Sequence, residues 1–455
     1  MSDRAIRSIV VAGAGIVGLS AALAFARSLP RTSVTVVETP VDRAALADRL
    51  PTAWPTISRF HALIGLDEIE LVRSGIAIHH VGTLFENWPR GASWVHAFAP
   101  HGRPIGPVPF DHVWLQAKLA GKAKAYDTYS MGAALARAGK FVHPSSEPDS
   151  LAARLLYGLR LDPDLYRAHL AAVAPDRGVH IVEGEIVGVD RREDGGIAAV
   201  RLNDDRILEA DLFIDCSGPS ASLIGIVDDS FEDWPHLATS VEIASGPSDR
   251  PSPTAHVRAT DDGWTAEWPL RDRVITCRAG DARPIPIRAG RRLSPWSRNV
   301  LALGDAATAV PPLHGLNLDL AHRAILLALD LLPGCDFDPL ETGEYNRRAG
   351  LITQQAGDFI ALHCAHRQSP PISVERIIDQ YRYRGRLPFR EEETLSRDDW
   401  TSALIGLGFV PENVDPAASG IPLDRAVEAM DVLAAEAAAF ASRAPAYDDY
   451  LKRIG

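Results

Sequence analysis

The chain has 455 residues, 46% of them hydrophobic and 23% charged, enough for two or three cores and too apolar for disorder to be the default. Its net charge of −12 repels phosphate backbones and anionic lipids, which disfavours nucleic acid and membrane surfaces as partners and leaves small molecules or proteins. Four cysteines, Cys216, Cys277, Cys335 and Cys364, show no CxxC spacing; they read as buried small apolar residues of a reducing cytoplasm, not as a disulfide framework or a zinc site.

Arg7 to Ala12 reads as a buried strand, Gly13 to Gly18 as a tight turn, Leu19 to Ser28 as a helix and Ser33 to Val37 as a second, β-branched strand. Within Ile9 to Ala26 the only polar side chain is Ser20, a run that hydropathy alone would give to a signal peptide or a membrane span. The glycines at strand–turn–helix spacing favour a βαβ unit instead, and cytoplasmic residence is the expectation. Proline-rich stretches at Pro100 to Pro109 and Pro247 to Pro253 predict loops that mark seams. Ile197 to Leu202 and Ile207 to Asp215 flank the Asn203-Asp204-Asp205 turn signal and predict a hairpin running into Asp215-Cys216-Ser217-Gly218. Val300 to Leu303 is another buried strand, ending at Gly304-Asp305. Helical patterns prevail from Leu318 onward, and Arg425 to Arg443 is an alanine-rich helix.

The turn Gly13-Ala14-Gly15-Ile16-Val17-Gly18 places glycine where backbone must approach a pyrophosphate, in front of a helix N terminus that offers amide donors and partial positive charge. Glu38, twenty residues beyond Gly18, stands where an acid accepts hydrogen bonds from an adenosine ribose. NAD and FAD both use such a turn. The second strand–glycine–acid element at Gly304-Asp305, whose carboxylate can hold the hydroxyls of a ribityl chain, favours FAD.

With these motifs in place the chain resembles the flavin-dependent tryptophan halogenase family over almost its whole length. The resemblance rests on Gly13 to Gly18, on Asp215-Cys216-Ser217-Gly218, on Asn299 to Ala307, on Tyr157 to Leu170, on Trp400 to Pro411 with Gly406 and Gly408, and on Tyr447-Asp448-Asp449-Tyr450-Leu451. It implies an α/β fold of the FAD-binding GxGxxG, Rossmann-like flavin monooxygenase type, with an interleaved substrate-side β-sheet and a helical C-terminal region. The expected division is an α/β module over residues 1–330, with sheet insertions near 75–130 and 230–290, and a helical region over 331–455 covering the substrate cavity. Gly13, Ala14, Gly15, Ile16, Gly18, Glu38, Ile186, Gly304, Asp305 and Leu316 would contact the cofactor, with Ile186 near the adenine.

The resemblance further implies that reduced FAD, delivered by a separate flavin reductase, reacts with oxygen. A halide is oxidised to hypohalous acid, which travels to a lysine beside an aromatic substrate such as an indole, where a glutamate assists substitution. Both positions depart here: His80 stands for the lysine in front of Phe85-Glu86-Asn87-Trp88, and His314 for the glutamate after Pro312-Leu313. Gly315, Leu316 and Asn317 replace the Ser, Thr and Gly of the halide site. The Trp-x-Trp-x-Ile-Pro box reads Trp264-Thr265-Ala266-Glu267-Trp268-Pro269, and the family's Gly-Val-Gly-Glu strap over the flavin has no counterpart, since no glycine lies between Glu38 and Gly65. A histidine is mostly neutral at pH 7 and lacks the ammonium of a lysine, and His314 brings no fixed negative charge. The two histidines are either a substitute catalytic pair or residues satisfied within the fold, and Trp264 and Trp268 either a substrate wall or core aromatics. His363 and His366 have the spacing of two metal ligands, but no third ligand is evident, and no metal is expected. Two functions stay open: an FAD-dependent oxygenase in which ordinary tryptophan halogenation is absent or feeble, and a halogenase-like protein that has lost catalysis and serves through interaction or flavin binding.

Overall fold

The computed structural model describes residues 5–89, 91–148, 150–280 and 282–454. The chain divides into two units. The first comprises residues 5–71, Leu161–Val241 and Ala282–Gly357; the second comprises Val72–Arg160 with residues 242–280 and 358–454. The seams therefore interleave, with segments of the second unit near the expected insertions at 75–130 and 230–290 and its last segment beginning after Gly357. The long helix Pro339–Cys364 carries the chain without a break past Gly357.

In the first unit β1 (Ser8–Ala12), α1 (Ile16–Ser28) and β2 (Ser33–Glu38) form the expected βαβ element. The sheet order is Trp296–Ser297, Val300–Ala302, Leu212–Asp215, β1, β2, Val179–Glu183, parallel throughout except for the Trp296–Ser297 edge. Runs such as Ile9-Val10-Val11 are buried because α1 covers one face of a parallel sheet whose other face packs on Ile197, Val200, Leu223 and Ile224. The order switches direction beside β1, placing the C-terminal ends of β1, Leu212–Asp215 and Val300–Ala302 side by side, where such sheets open a ligand crevice.

Two local readings are corrected. The helix begins at Ile16, not Leu19, because Gly15 already adopts the extended N-cap conformation and the last residues of the turn form the first helical turn. The predicted strand Ile207 to Asp215 is two strands. Ile207–Glu209 pairs antiparallel with Ile197–Leu202, and Leu212–Asp215 leaves to pair with β1, the break being held by the Asp211 carboxylate accepting from the Arg7 and Ser8 amides at 2.7 and 3.1 Å.

The second unit is built on a sheet in which Ser93–Ala97, Gly82–Glu86, Thr254–Thr260, Gly263–Pro269 and Arg273–Gly280 are successive neighbours. All these pairs are antiparallel except Gly82–Glu86 with Thr254–Thr260. Its helices include Phe110–Leu119, Arg397–Gly406 and Leu423–Arg443, and a core of Phe110, Trp114, Tyr126, Tyr129, Met430 and Leu433 holds them. Pro100 to Pro109 is a loop, as expected from its prolines.

Candidate functional site

The phosphate turn has the geometry its glycines require. Gly13 lies at φ +109°, and its N–H donates to the Val37 carbonyl at 3.1 Å, pinning the turn to β2. A Cβ on Gly18 would stand 1.9 Å from the Gly13 carbonyl oxygen, so helix and turn approach more closely than any side chain permits. Gly13, Ala14, Gly15, Ile16 and Gly18 are all buried. α1 has neither a side-chain N-cap nor an acidic residue in its first turn, so its leading amides need an acceptor from outside the helix.

That acceptor is Asp48, thirty-one positions along the chain. Its Oδ1 accepts from the Val17 N–H at 2.9 Å, and a Cβ on Gly15 would lie 2.3 Å from the same oxygen. Asp48 belongs to α2 (Leu46–Arg49), a single turn in the stretch where the family's strap would lie. The preceding residue, Ala47, donates its N–H to Asp305 Oδ2 at 2.8 Å, and Ala45 sits against Gly218, within 3.1 Å of the space its Cβ would take. Burial pushes the Asp48 carboxyl up to about 6 against the hydrogen bonds from Val17 and Ile16. Asp305 is pushed up to about 7, by burial first, with the Ala47 amide opposing and the Asp48 charge adding.

The residues can be tested against the flavin the resemblance implies. Two features suit it: the turn itself, and the buried Oδ1 of Asp305, which has no hydrogen-bond partner and is an acceptor for a polyol hydroxyl. A third does not, because the position over α1 where a pyrophosphate would accept from the amides already holds a carboxylate. In this conformation the Val17 amide is taken by the protein's own carboxylate.

His314 follows in the same unit. It is buried, its carbonyl accepts from Trp54 Nε1 at 3.0 Å, and the two rings lie 6.4 Å apart between centroids. Gly315 adopts φ +62° with Thr52 against it, 2.4 Å from the place of a Cβ, so no side chain fits there. Leu316 is buried and caps the helix Asn317–Asp330, and Asn317 Nδ2 donates to the Val310 carbonyl at 2.9 Å.

His80 lies in the second unit, at the end of the strand Ala77–His80 and 1% exposed. Its Nε2 donates to the Gly82 carbonyl at 3.0 Å, its Nδ1 is buried without a partner, and the Phe98 ring stands edge-on at 5.1 Å. Burial holds the imidazole well below its ordinary range, and the Arg160 guanidinium lowers it further. Arg160 is itself fully buried and pushed down to about 9 by desolvation; it donates to the Ser252 carbonyl, while Nε and Nη1 have no partner.

Of the remaining predicted residues, Glu38 is exposed at the end of β2, in register with Glu183, and Ile186 opens the strand Ile186–Arg191, half-buried against the core behind the sheet. Gly304 turns at φ +60° onto Val17, beside Asp305. Trp264 and Trp268 are both buried on the strand Gly263–Pro269, paired with Ala279 and Ile275. His363 and His366 are bound to the Phe359 and Leu407 carbonyls at 2.9 and 2.5 Å. Cys216 and Cys277 are buried as expected, whereas Cys335 and Cys364 are half-buried, a correction due to their places at a loop and a helix end. Among the described residues no helix is long and apolar enough to cross a membrane. Asp48 and Arg160 were missed. Nothing in the spacing around Asp48 marks it, although the uncapped start of α1 signals that some acceptor must arrive; Arg160 gives no signal, being a charged residue inside the apolar pattern of Gly158–Leu161.

The family model described as tryptophan halogenase matches residues 8–280 and 277–422. The chain is 25% identical to tryptophan 7-halogenase KtzQ of Kutzneria sp. (strain 744), over 100% of this chain and 99% of that protein, and 24% identical to tryptophan 7-halogenase RebH of Lentzea aerocolonigenes, over 94% of each. Among solved structures it superposes on BrvH, a flavin-dependent halogenase from Brevundimonas sp. BAL3, with a TM-score of 0.92 and 28% identity, covering 99% of this chain and 100% of that one. A flavin-dependent halogenase from Xanthomonas campestris follows at 0.90 and 26%, covering 99% and 98%.

Proposed function

The chain belongs to the tryptophan halogenase family, whose members depend on flavin, and on that footing we propose that it is an FAD-dependent oxidoreductase of the oxygenase type, acting on an aromatic or otherwise apolar small molecule, in which halogenation of free tryptophan is absent or feeble. The observation that carries this reading is the state of His80. It is buried and neutral, and its one N–H is committed to the Gly82 carbonyl, so it offers no ammonium to hold or carry an electrophilic halogen. His314 stands for the glutamate and supplies no fixed negative charge to a cationic ring intermediate. The Gly315-Leu316-Asn317 run likewise lacks the hydroxyls of the family's halide site. Indoles and other aromatics are the substrate class, and a separate flavin reductase is the partner that supplies reduced FAD.

A second reading, a member that has lost catalysis and acts through interaction or flavin binding alone, is favoured by one observation, the Asp48 carboxylate seated on α1. One experiment separates the two. Purified protein is titrated with FAD and with FADH2 while flavin absorbance and oxygen consumption are followed, and bromide and tryptophan are then added. Binding of reduced flavin with oxygen uptake supports the oxygenase; binding without turnover supports the second reading. Failure to bind either redox state removes the enzyme.

A further inference from the structure

We propose that residues 42–48 are a built-in occupant of the flavin's phosphate site, with Asp48 as the anionic ligand of the α1 N terminus, so that flavin binds only as this segment withdraws. The proposal rests on the flavin reading above and concerns the state of the site before any flavin arrives. Three contacts, made to three separate parts of the first unit, lay the segment along the path a dinucleotide would take. Ala45 and Asp42 pack on Gly218, where a Cβ would meet theirs at 3.1 and 3.6 Å. Asp48 takes the Val17 amide at 2.9 Å over Gly15. Ala47 donates to Asp305 at 2.8 Å.

The chemistry makes the competition exclusive. The amides at the start of α1 have no acceptor within the helix, and the partial positive charge there favours an anion arriving from outside it. A carboxylate and a phosphate serve equally, but both cannot stand at one donor, and their like charges would repel across a few ångströms in a buried setting. Gly15, which leaves room for a ligand to approach the backbone, here leaves room for Asp48.

The segment also carries hydrogen bonds of its own, beside the Arg43 Nη2 bond to the Pro284 carbonyl at 2.9 Å. The Ala44 amide bonds Asp42 Oδ1 at 2.7 Å, the Ala45 amide the Asp42 carbonyl at 3.1 Å and the Asp48 amide the Ala45 carbonyl at 3.2 Å, all within the segment. With no glycine between Glu38 and Gly65 it has no position that lets the backbone lie flat against a ring.

The test uses the full chain, free of ligand, as wild type, Asp48→Ala and the isosteric Asp48→Asn. FAD affinity is measured by fluorescence quenching, and hydrogen exchange is followed in peptides covering residues 14–18 and 42–49. We expect Asp48→Ala to bind FAD about tenfold or more tightly than wild type, the worth of one lost charge-assisted hydrogen bond, and Asp48→Asn to lie between them. In the ligand-free state Asp48→Ala should exchange the Ile16 and Val17 amides faster, and FAD added to wild type should loosen 42–49 while protecting 14–18. Equal, measurable affinities with unchanged exchange would overturn the competition and leave the flavin reading intact. No binding by wild type or either variant, in either redox state, would overturn both.

Discussion

Placing a lysine at position 80 tests whether this pocket accepts the charge on which the relatives' chemistry is expected to depend. His80 is 1% exposed, Arg160 adds a second buried cation nearby, and no carboxylate counts among the influences on the imidazole. A lysine in such a setting is held neutral, with a pKa near 5–6 in place of about 10.4. The fold then loses what it costs to deprotonate the amine, roughly 5 kcal/mol at pH 7 and roughly 2 at pH 9, because the unfolded chain binds the proton that the folded chain refuses. Urea unfolding of His80→Lys against the uncharged control His80→Met, at both pH values, reads this directly. The expected result is a gap between the two variants that widens by about 3 kcal/mol from pH 9 to pH 7. A lysine variant as stable as the methionine variant at pH 7 would show that the pocket hosts an ammonium after all.

Gly18→Ala forces a methyl to 1.9 Å from the Gly13 carbonyl and should cost about 3 kcal/mol or more, seen as a lower urea midpoint. Arg160→Met should be neutral or stabilising in the same assay, because it exchanges a buried charge with two unmet donors for an apolar chain of similar length. The buried His61, His79, His101 and His363 are lowered to about 4, 3, 4 and 3, chiefly by desolvation. Their folded values lie below the unfolded 6.5, so the stability they permit is present above pH 6.5 and lost as pH falls toward 4, about 2 kcal/mol each by pH 5. Asp48 and Asp305 act oppositely, since their raised values favour the fold on acidification from 7 toward 4, but they return less than four histidines remove. A urea midpoint that falls between pH 7 and pH 5 is expected; one that rises would show the histidines to be solvated.

The phosphate turn could be read from the sequence because its signal is local: three glycines, a helix and an acid at fixed spacing, even though Gly13 is held bare by the Cys216 carbonyl far along the chain. Glu38 and Asp305 were singled out the same way, as acids following short apolar strands. Asp48 could not be read so, because its contact arises from tertiary folding, which carries residues 42–48 back over a helix that lacks its own cap. The absence of glycine from that segment was visible, but not where the segment would come to rest. The same holds at position 80, where the residue type was evident and its burial beside Arg160 was not. The expected sheet insertions near 75–130 and 230–290 fall on segments of the second unit, whereas the passage at Gly357 lies inside the continuous helix Pro339–Cys364, without the composition shift that marks a linker.

The most direct test of the proposed function is a reaction of the purified protein with FADH2, oxygen, bromide and free tryptophan, analysed by mass spectrometry for halogenated product alongside reoxidation of the bound flavin. Flavin reoxidation with no bromotryptophan above a protein-free control is the expected result. Robust bromotryptophan formation that is lost on replacing His80 or His314 would contradict it.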